Sequence, residues 1–158
     1  MPQGSTISTE WNEARLAAEG WEALAVTHFS ATAGPYWLRR DDRGVEVGLL
    51  AGERHGNGHL GTVHGGVLMS FADIAFGIVV TDAIGAPHCT TTQLAFKFTR
   101  AATIGSFLTC RPEAVHKTSS LVFVRGLFCA GARVIGHGEG IFTILDAERL
   151  ARMRAKGG

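Results

Sequence analysis

The sequence is short of the residues that mark several classes of protein. It holds three cysteines, Cys89, Cys110 and Cys129, about twenty residues apart and with no C-x-x-C pair. An odd, scattered set of this kind suits reduced thiols in a cytoplasmic protein rather than a disulfide framework. Excess charge is missing as well: 15 Lys and Arg against 14 Asp and Glu give a formal net charge of +1. That balance supplies no electrostatic reason to bind nucleic acid or an anionic membrane. The opening stretch, MPQGSTISTEWNEARLAAEGW, has neither a basic n-region nor an apolar h-region, so no signal peptide is expected. Uninterrupted apolar runs are also lacking. The longest candidate, residues 67–84, contains Ser70, Asp73, Thr81 and Asp82, whereas a membrane helix needs about 20 mostly apolar residues. It reads as a buried helix of a soluble protein.

What is present is enough apolar material, 46% of 158 residues, to build the core of a single domain over residues 1–158. No internal repeat or interdomain linker interrupts it. The start, STEWNEARLAAEGW, offers Ser8 or Thr9 as an N-cap and Trp11, Leu16 and Ala17 at helical spacing, which predicts an amphipathic helix over 8–24. PYWLRRDDRGVEVGLLAGER reads as two strands about a turn at DDRG. GERHGNGHLGTVHGG is too rich in glycine for regular structure and reads as a loop. A long apolar helix over about 66–84 follows, stopped by the Gly85-Ala86-Pro87 sequence.

The period then changes. In TTTQLAFKFTRA, Leu94, Phe96 and Phe98 alternate with Ala95, Lys97 and Thr99, which predicts a strand. GSFLTCRPEAVHKT, SSLVFVRGLFCA and ARVIGHGEGIFTIL read as three more. Short connections predict an antiparallel meander of all four. The core thus spans 30–146, and residues 147–158 form a charged tail with helical potential. One apolar helix beside an antiparallel sheet is an α+β arrangement. A helix apolar all round cannot be covered by one sheet alone, and a second copy of the chain is the natural cover.

The helix start is chemically pointed. Its first backbone N–H groups lack internal partners and carry partial positive charge. Gly65 and Gly66 would let a ligand approach that backbone, the recipe for an oxyanion site; the same glycines could serve only a tight turn. Asp73 is the odd residue in the apolar run. It is either a structural acid tied to a nearby hydroxyl or backbone group, or a nucleophile or general base. Eight residues separate it from Gly65, about 12 Å at ~1.5 Å per residue. A reacting group must come within roughly 3–3.5 Å of its target, so the two cannot serve one carbonyl within one chain. Antiparallel helices from two subunits could bring them together, which predicts a C2 dimer with two shared sites.

GTVHGGVLMSFADIA, followed by TTTQLAFKFTRAATIGSFLTC, resembles the hotdog-fold acyl-CoA thioesterases of the phenylacetate-degradation (PaaI-like) type over residues 45–145. The resemblance implies a curved antiparallel sheet wrapped around the long helix, dimerised and often paired again into a tetramer. It implies Asp73 as catalytic acid, Gly65 as the N–H that polarises the thioester carbonyl, and Thr91 as the hydroxyl that helps place the acid or the water. It also implies Asn57 as an asparagine that contacts the reacting group. The family asparagine stands six residues before the histidine of His-Gly-Gly, whereas Asn57 stands seven before His64. A one-residue bulge, His55 or His59 in its place, or a site that works without it, would reconcile the two. Thr91 lies among three threonines, so Thr90 or Thr92 could take its role.

His64 and Gly66 are expected to support the site. Met69, Phe71 and Phe76 are candidates for the acyl pocket or simply for the core. Lys97 and Arg100, with Arg111, Lys117 and Arg125, are candidates for the phosphates of coenzyme A or plain surface charges. His55, His59 and His64 have only Glu53 near them to complete a metal shell, so no metal is expected, and no cofactor beyond coenzyme A in the substrate. Two other functions stay open here. One is a non-catalytic acyl-CoA or aromatic ligand-binding protein. The other is an enoyl-thioester hydratase, for which HFS at His28 would have to supply the histidine.

Overall fold

In a computed structural model, residues 10–156 are described. The chain starts with α1 (Glu13–Ala18), capped by Asn12, whose side chain accepts the Arg15 N–H at 2.9 Å. This helix is shorter than the expected 8–24. Gly20, at φ 81°, turns the chain, and Glu22–Ala23 (β1) pairs with the next long strand instead. Ser8 and Thr9, the cap candidates, lie outside the described residues. A further short helix, α2 (His28–Ala33), precedes the hairpin of β2 (Tyr36–Asp41) and β3 (Gly44–Leu50).

The glycine-rich loop carries one 3-10 turn at Glu53–His55 and feeds α3 (Gly65–Ile84). Gly85 ends α3 in the left-handed conformation at φ 72°, its N–H bonded to Thr81, the expected use of a residue without a Cβ. The sheet continues with β4 (Cys89–Phe98), β5 (Phe107–Cys110), β6 (Glu113–Lys117), β7 (Leu121–Ala130) and β8 (Arg133–Ile144). The charged tail forms α4 (Ala147–Lys156).

Strand order is β1-β2-β3-β5-β7-β8-β4, all neighbours antiparallel, with β6 also on β7. Two expectations need correction. The strand expected over GSFLTCRPEAVHKT is two strands, because Pro112 has no N–H to give a ladder. β5 pairs with β3 and β7, and β6 with β7. Nor do the four expected strands form one meander: β4 crosses over and pairs with β8 at the far edge. The crossing segment, residues 99–106, is pinned to the glycine-rich loop by Val63 N–H to Ala102 C=O (2.8 Å) and Ile104 N–H to Gly61 C=O (3.1 Å). The crossover therefore fixes the entry to α3.

The sheet curves around α3 in the hotdog arrangement. Leu68, Phe71, Ala72, Ala75, Phe76 and Val80 form one buried stripe of the helix, packed on Val47, Leu49, Leu108, Val122, Val124 and Phe128. The Phe76 ring sits so close to the sheet that a Cβ on Gly126 would lie 3.1 Å from it. By length and composition α3 could cross a membrane; here that stripe is docked on the sheet. The opposite stripe, including Asp73, Ile74, Gly77, Ile78 and Thr81, is only half-buried and lies between the β1–β2 end of the sheet and β4.

Candidate active site

The loop before α3 is built on histidine. His55 is 2% exposed. Its Nδ1 accepts the Gly52 N–H at 2.9 Å, and its Nε2 lies 3.0 Å from the Gly34 carbonyl. Only the neutral ring protonated at Nε2 satisfies both. Burial, the main cause, pushes its pKa down, in keeping with that tautomer. Arg54 donates to the same carbonyl. His55 is thus a clamp between two loops, with no nitrogen left to replace Asn57.

His64 caps α3. Its Nδ1 accepts the Gly66 N–H at 2.9 Å, while its own N–H reaches the His55 carbonyl. This settles which glycine donor is free. Gly66 N–H is occupied, whereas Gly65 N–H has no acceptor among the described residues. An orphan N–H at the positive end of a 20-residue helix is a ready oxyanion donor.

Asp73 is half-buried on the open side of α3. Its Oδ1 accepts the Thr91 hydroxyl at 2.6 Å. The ambiguity among the three threonines disappears. Pairing with β8 shifts register between Thr91 and Gln93, the Thr92 hydroxyl meets that of Thr143, and Thr90 lines the adjacent groove. α3 is continuous from Gly65 to Ile84, so the ~12 Å between Gly65 and Asp73 holds within one chain. Asn57 is exposed at the base of the loop, its N–H bonded to Thr62 C=O at 2.7 Å. It lines neither cavity beside Asp73, and His59 is exposed further along the loop.

Two cavities meet at Asp73. One, a groove of about 540 Å³, runs along α3 between β2 and β4. The other, about 270 Å³, lies toward Met69, Ser70 and Leu94, with Phe29, Ser30 and Tyr36 opposite. Met69 therefore does line a cavity, whereas Phe71 and Phe76, both 0% exposed, belong to the core. Tyr36, the sole tyrosine, was not singled out by the sequence reading; its position directly after Pro35 was the only signal. It is 1% exposed, and its hydroxyl has no partner among the described residues. Burial, then the charge of Asp73, push its pKa up to about 12, so the phenol stays a proton donor beside the carboxylate. The Cys89 thiol, in the larger groove, is likewise held protonated, chiefly by burial.

The basic candidates divide by place. Arg111 is bonded to Asp41 and Glu46, and Arg125 to Glu113. Both line a cavity of about 580 Å³ that holds neither Asp73 nor Gly65. Lys117 binds the Ala83 carbonyl at the C-terminal end of α3. The Phe98 ring packs against Gly65, but Lys97 lies 4.0 Å from Glu139 and Arg100 lines a separate cavity with Ala132, Arg133 and Val134; neither lines a cavity at Asp73. His28, on α2, is exposed and lines neither cavity at Asp73. Among the described residues, no three His, Cys, Asp or Glu side chains converge to hold a metal.

Comparison with known proteins bears on the fold and on part of the sequence. A family model described as "Thioesterase superfamily" matches residues 60–136, the span that contains Gly65, Asp73 and Thr91 and leaves Asn57 outside. A Pseudomonas aeruginosa protein described as "Putative esterase" is 29% identical over 113 residues, 70% of this chain and 84% of that protein. The fold is shared with a "Hypothetical Thioesterase Protein" of Streptococcus pneumoniae solved with coenzyme A. The TM-score is 0.66 at 22% identity, over 75% of this chain and 93% of that one. It is shared too with the Escherichia coli PaaI protein from the phenylacetic acid degradation operon. There the TM-score is 0.59 at 17% identity, over 85% and 86%. The resemblance to the hotdog-fold thioesterases holds in sequence and in fold.

Proposed function

We propose, for a chain with the hotdog fold and a thioesterase-superfamily segment, that it hydrolyses an acyl- or aryl-CoA thioester to the free acid and CoA, at a site shared by two copies. The observation that carries this reading is Asp73, held at 2.6 Å by Thr91 on the uncovered side of α3. A carboxylate fixed by a hydroxyl and opening on two cavities suits action on a ligand better than bracing of the core.

The site is completed by symmetry. Two α3 helices packed antiparallel set Asp73 of one copy beside the partner's Gly65. The free N–H there holds the thioester oxygen and stabilises the oxyanion. The Asp73 carboxylate either attacks the carbonyl carbon, giving an anhydride that water opens, or takes a proton from the water that attacks. In both routes the C–S bond breaks, and CoA leaves as thiolate and is protonated. The same packing carries the partner's Asn57 loop over the site and sets the partner's Lys97 and Arg100 near the entrance for CoA phosphates. Pairing of dimers into tetramers leaves this chemistry unaltered, since it uses only chain groups, water and substrate. The free thiols of Cys89, Cys110 and Cys129 suit a reducing compartment, and the proposal takes the cytoplasm.

The test is turnover of a panel of acyl- and aryl-CoA thioesters by Asp73→Asn and Asp73→Ala, alongside sedimentation. Activity should collapse while the dimer persists. A well-folded Asp73→Ala protein with full activity would end the assignment.

A further inference from the structure

The larger groove has two unlike ends. On α3 it begins at Asp73 and finishes at Asp82, nine residues on, or about 13 Å of helix. Thr91 stands at the Asp73 end. At the Asp82 end, Arg40 reaches across from β2 and makes a two-pronged ion pair, Nη1–Oδ2 at 2.6 Å and Nη2–Oδ1 at 3.0 Å. Between these ends the walls are Leu24, Val26, Leu38, Ile74, Ile78 and Phe142, interrupted by Thr81, Cys89 and Thr90. The floor is open at Gly77, where a Cβ would meet nothing within 4 Å.

We propose that this groove holds the acyl part of the substrate, that the Arg40–Asp82 pair is its end stop, and that the site therefore takes an unbranched apolar acyl chain of medium length. The inference rests on the thioesterase reading and adds the substrate class. Charge decides which half of the thioester lies here. The pantetheine arm carries amides and leads to phosphates, yet these walls are mostly apolar and Arg40 is already neutralised by Asp82. The smaller cavity, with Ser30, Ser70 and the unpartnered Tyr36 hydroxyl, offers hydroxyls to the pantetheine amides.

Length follows from geometry. An extended hydrocarbon with bonds of about 1.5 Å advances roughly 1.25 Å per carbon, so about ten carbons span the groove. Each methylene buried up to that limit should raise kcat/KM about fourfold.

Three proteins test this: wild type, Gly77→Leu, which fills the floor with a good helix former, and Arg40→Ala, which opens the exposed end stop. kcat/KM is measured on straight acyl-CoA thioesters from acetyl to hexadecanoyl. The wild type should rise to about ten carbons and then fall. Gly77→Leu should lower the decanoyl-to-butanoyl ratio by about tenfold or more, and Arg40→Ala should move the optimum about two carbons longer. One profile shared by all three proteins would overturn the proposal. If the wild type cleaves no thioester, the thioesterase reading fails by itself. Calorimetry with decanoate then judges the groove: binding weakened about tenfold by Gly77→Leu keeps it, and equal binding removes it.

Discussion

α3 has two sides with different work. Leu68, Phe71, Ala75, Phe76 and Val80 form one side, each at most 3% exposed and packed against the sheet. Asp73, Ile74, Gly77, Ile78 and Thr81 form the other, half-buried and facing two cavities. Both sides are apolar in composition, so hydrophobicity along the helix does not tell them apart. What separates them is the pair of carboxylates, Asp73 and Asp82, and the missing side chain at Gly77, all on the open side. The packed side should answer to substitution through stability, and the open side through chemistry and assembly.

The strongest break of that contrast is at Asp73. Asp73→Asn should cut kcat by about 10²–10⁴, the range for a lost general base, with an unchanged denaturation midpoint. On the packed side, Phe76→Ala should do the reverse. Phe76 is 0% exposed and makes an edge-to-face contact with Phe128 at 5.9 Å. Its truncation should cost about 3–5 kcal/mol in a urea titration, with kcat per folded molecule retained. A smaller effect is expected at Thr91→Val. This removes a hydrogen bond to a charged group, worth about 1.5–3 kcal/mol, and should lower kcat about ten- to a hundredfold.

The mildest test concerns the clamp behind the site. The folded chain holds the His55 pKa below its ordinary value, so below about pH 6.5 the unfolded chain takes up a proton that the folded one refuses. Stability should fall as pH drops through that point toward the folded pKa. His55→Gln, less stable at neutral pH, should show a flatter dependence when Tm is followed from pH 7.5 to about 5.

Much of the site was readable in the chain because glycine and a lone acid are strong punctuation. Gly65, Gly66 and Gly85 bracket α3 within one residue of its bounds, and Asp73 stands out as the acid in the middle of an apolar helix. Strand pairing was less legible. Short-connection logic put β4 next to β5, but β4 stops at Phe98 and β5 starts at Phe107, leaving enough chain to cross the sheet. The entry helix was overestimated because it was extended past Gly20, which could end it, through Leu24; Gly20 does turn the chain, and Leu16 and Trp21 pack in a separate cluster with Trp37 and Phe107. Tyr36 left almost no trace, since an unpartnered hydroxyl is a property of packing and not of pattern. The offset of Asn57 likewise stays a matter of the loop, where left-handed Gly58 and Gly61 set the path.

The central claim is that Asp73 and Gly65 act across two chains, and mixing two disabled proteins tests it directly. Gly65→Pro removes the free N–H and adds a Cβ that would lie 3.4 Å from the Phe98 ring, at the edge of ordinary contact. Proline is tolerated at a first helical position, and His64, at φ −65° and ψ 138°, already has the conformation that precedes proline. Asp73→Asn and Gly65→Pro should each be inactive as homodimers. Unfolded together and refolded in equal amounts, they should regain about a quarter of wild-type activity, because half the dimers then carry one intact site. A mixture no more active than its parents, with heterodimers demonstrated by mass spectrometry, would contradict the shared site.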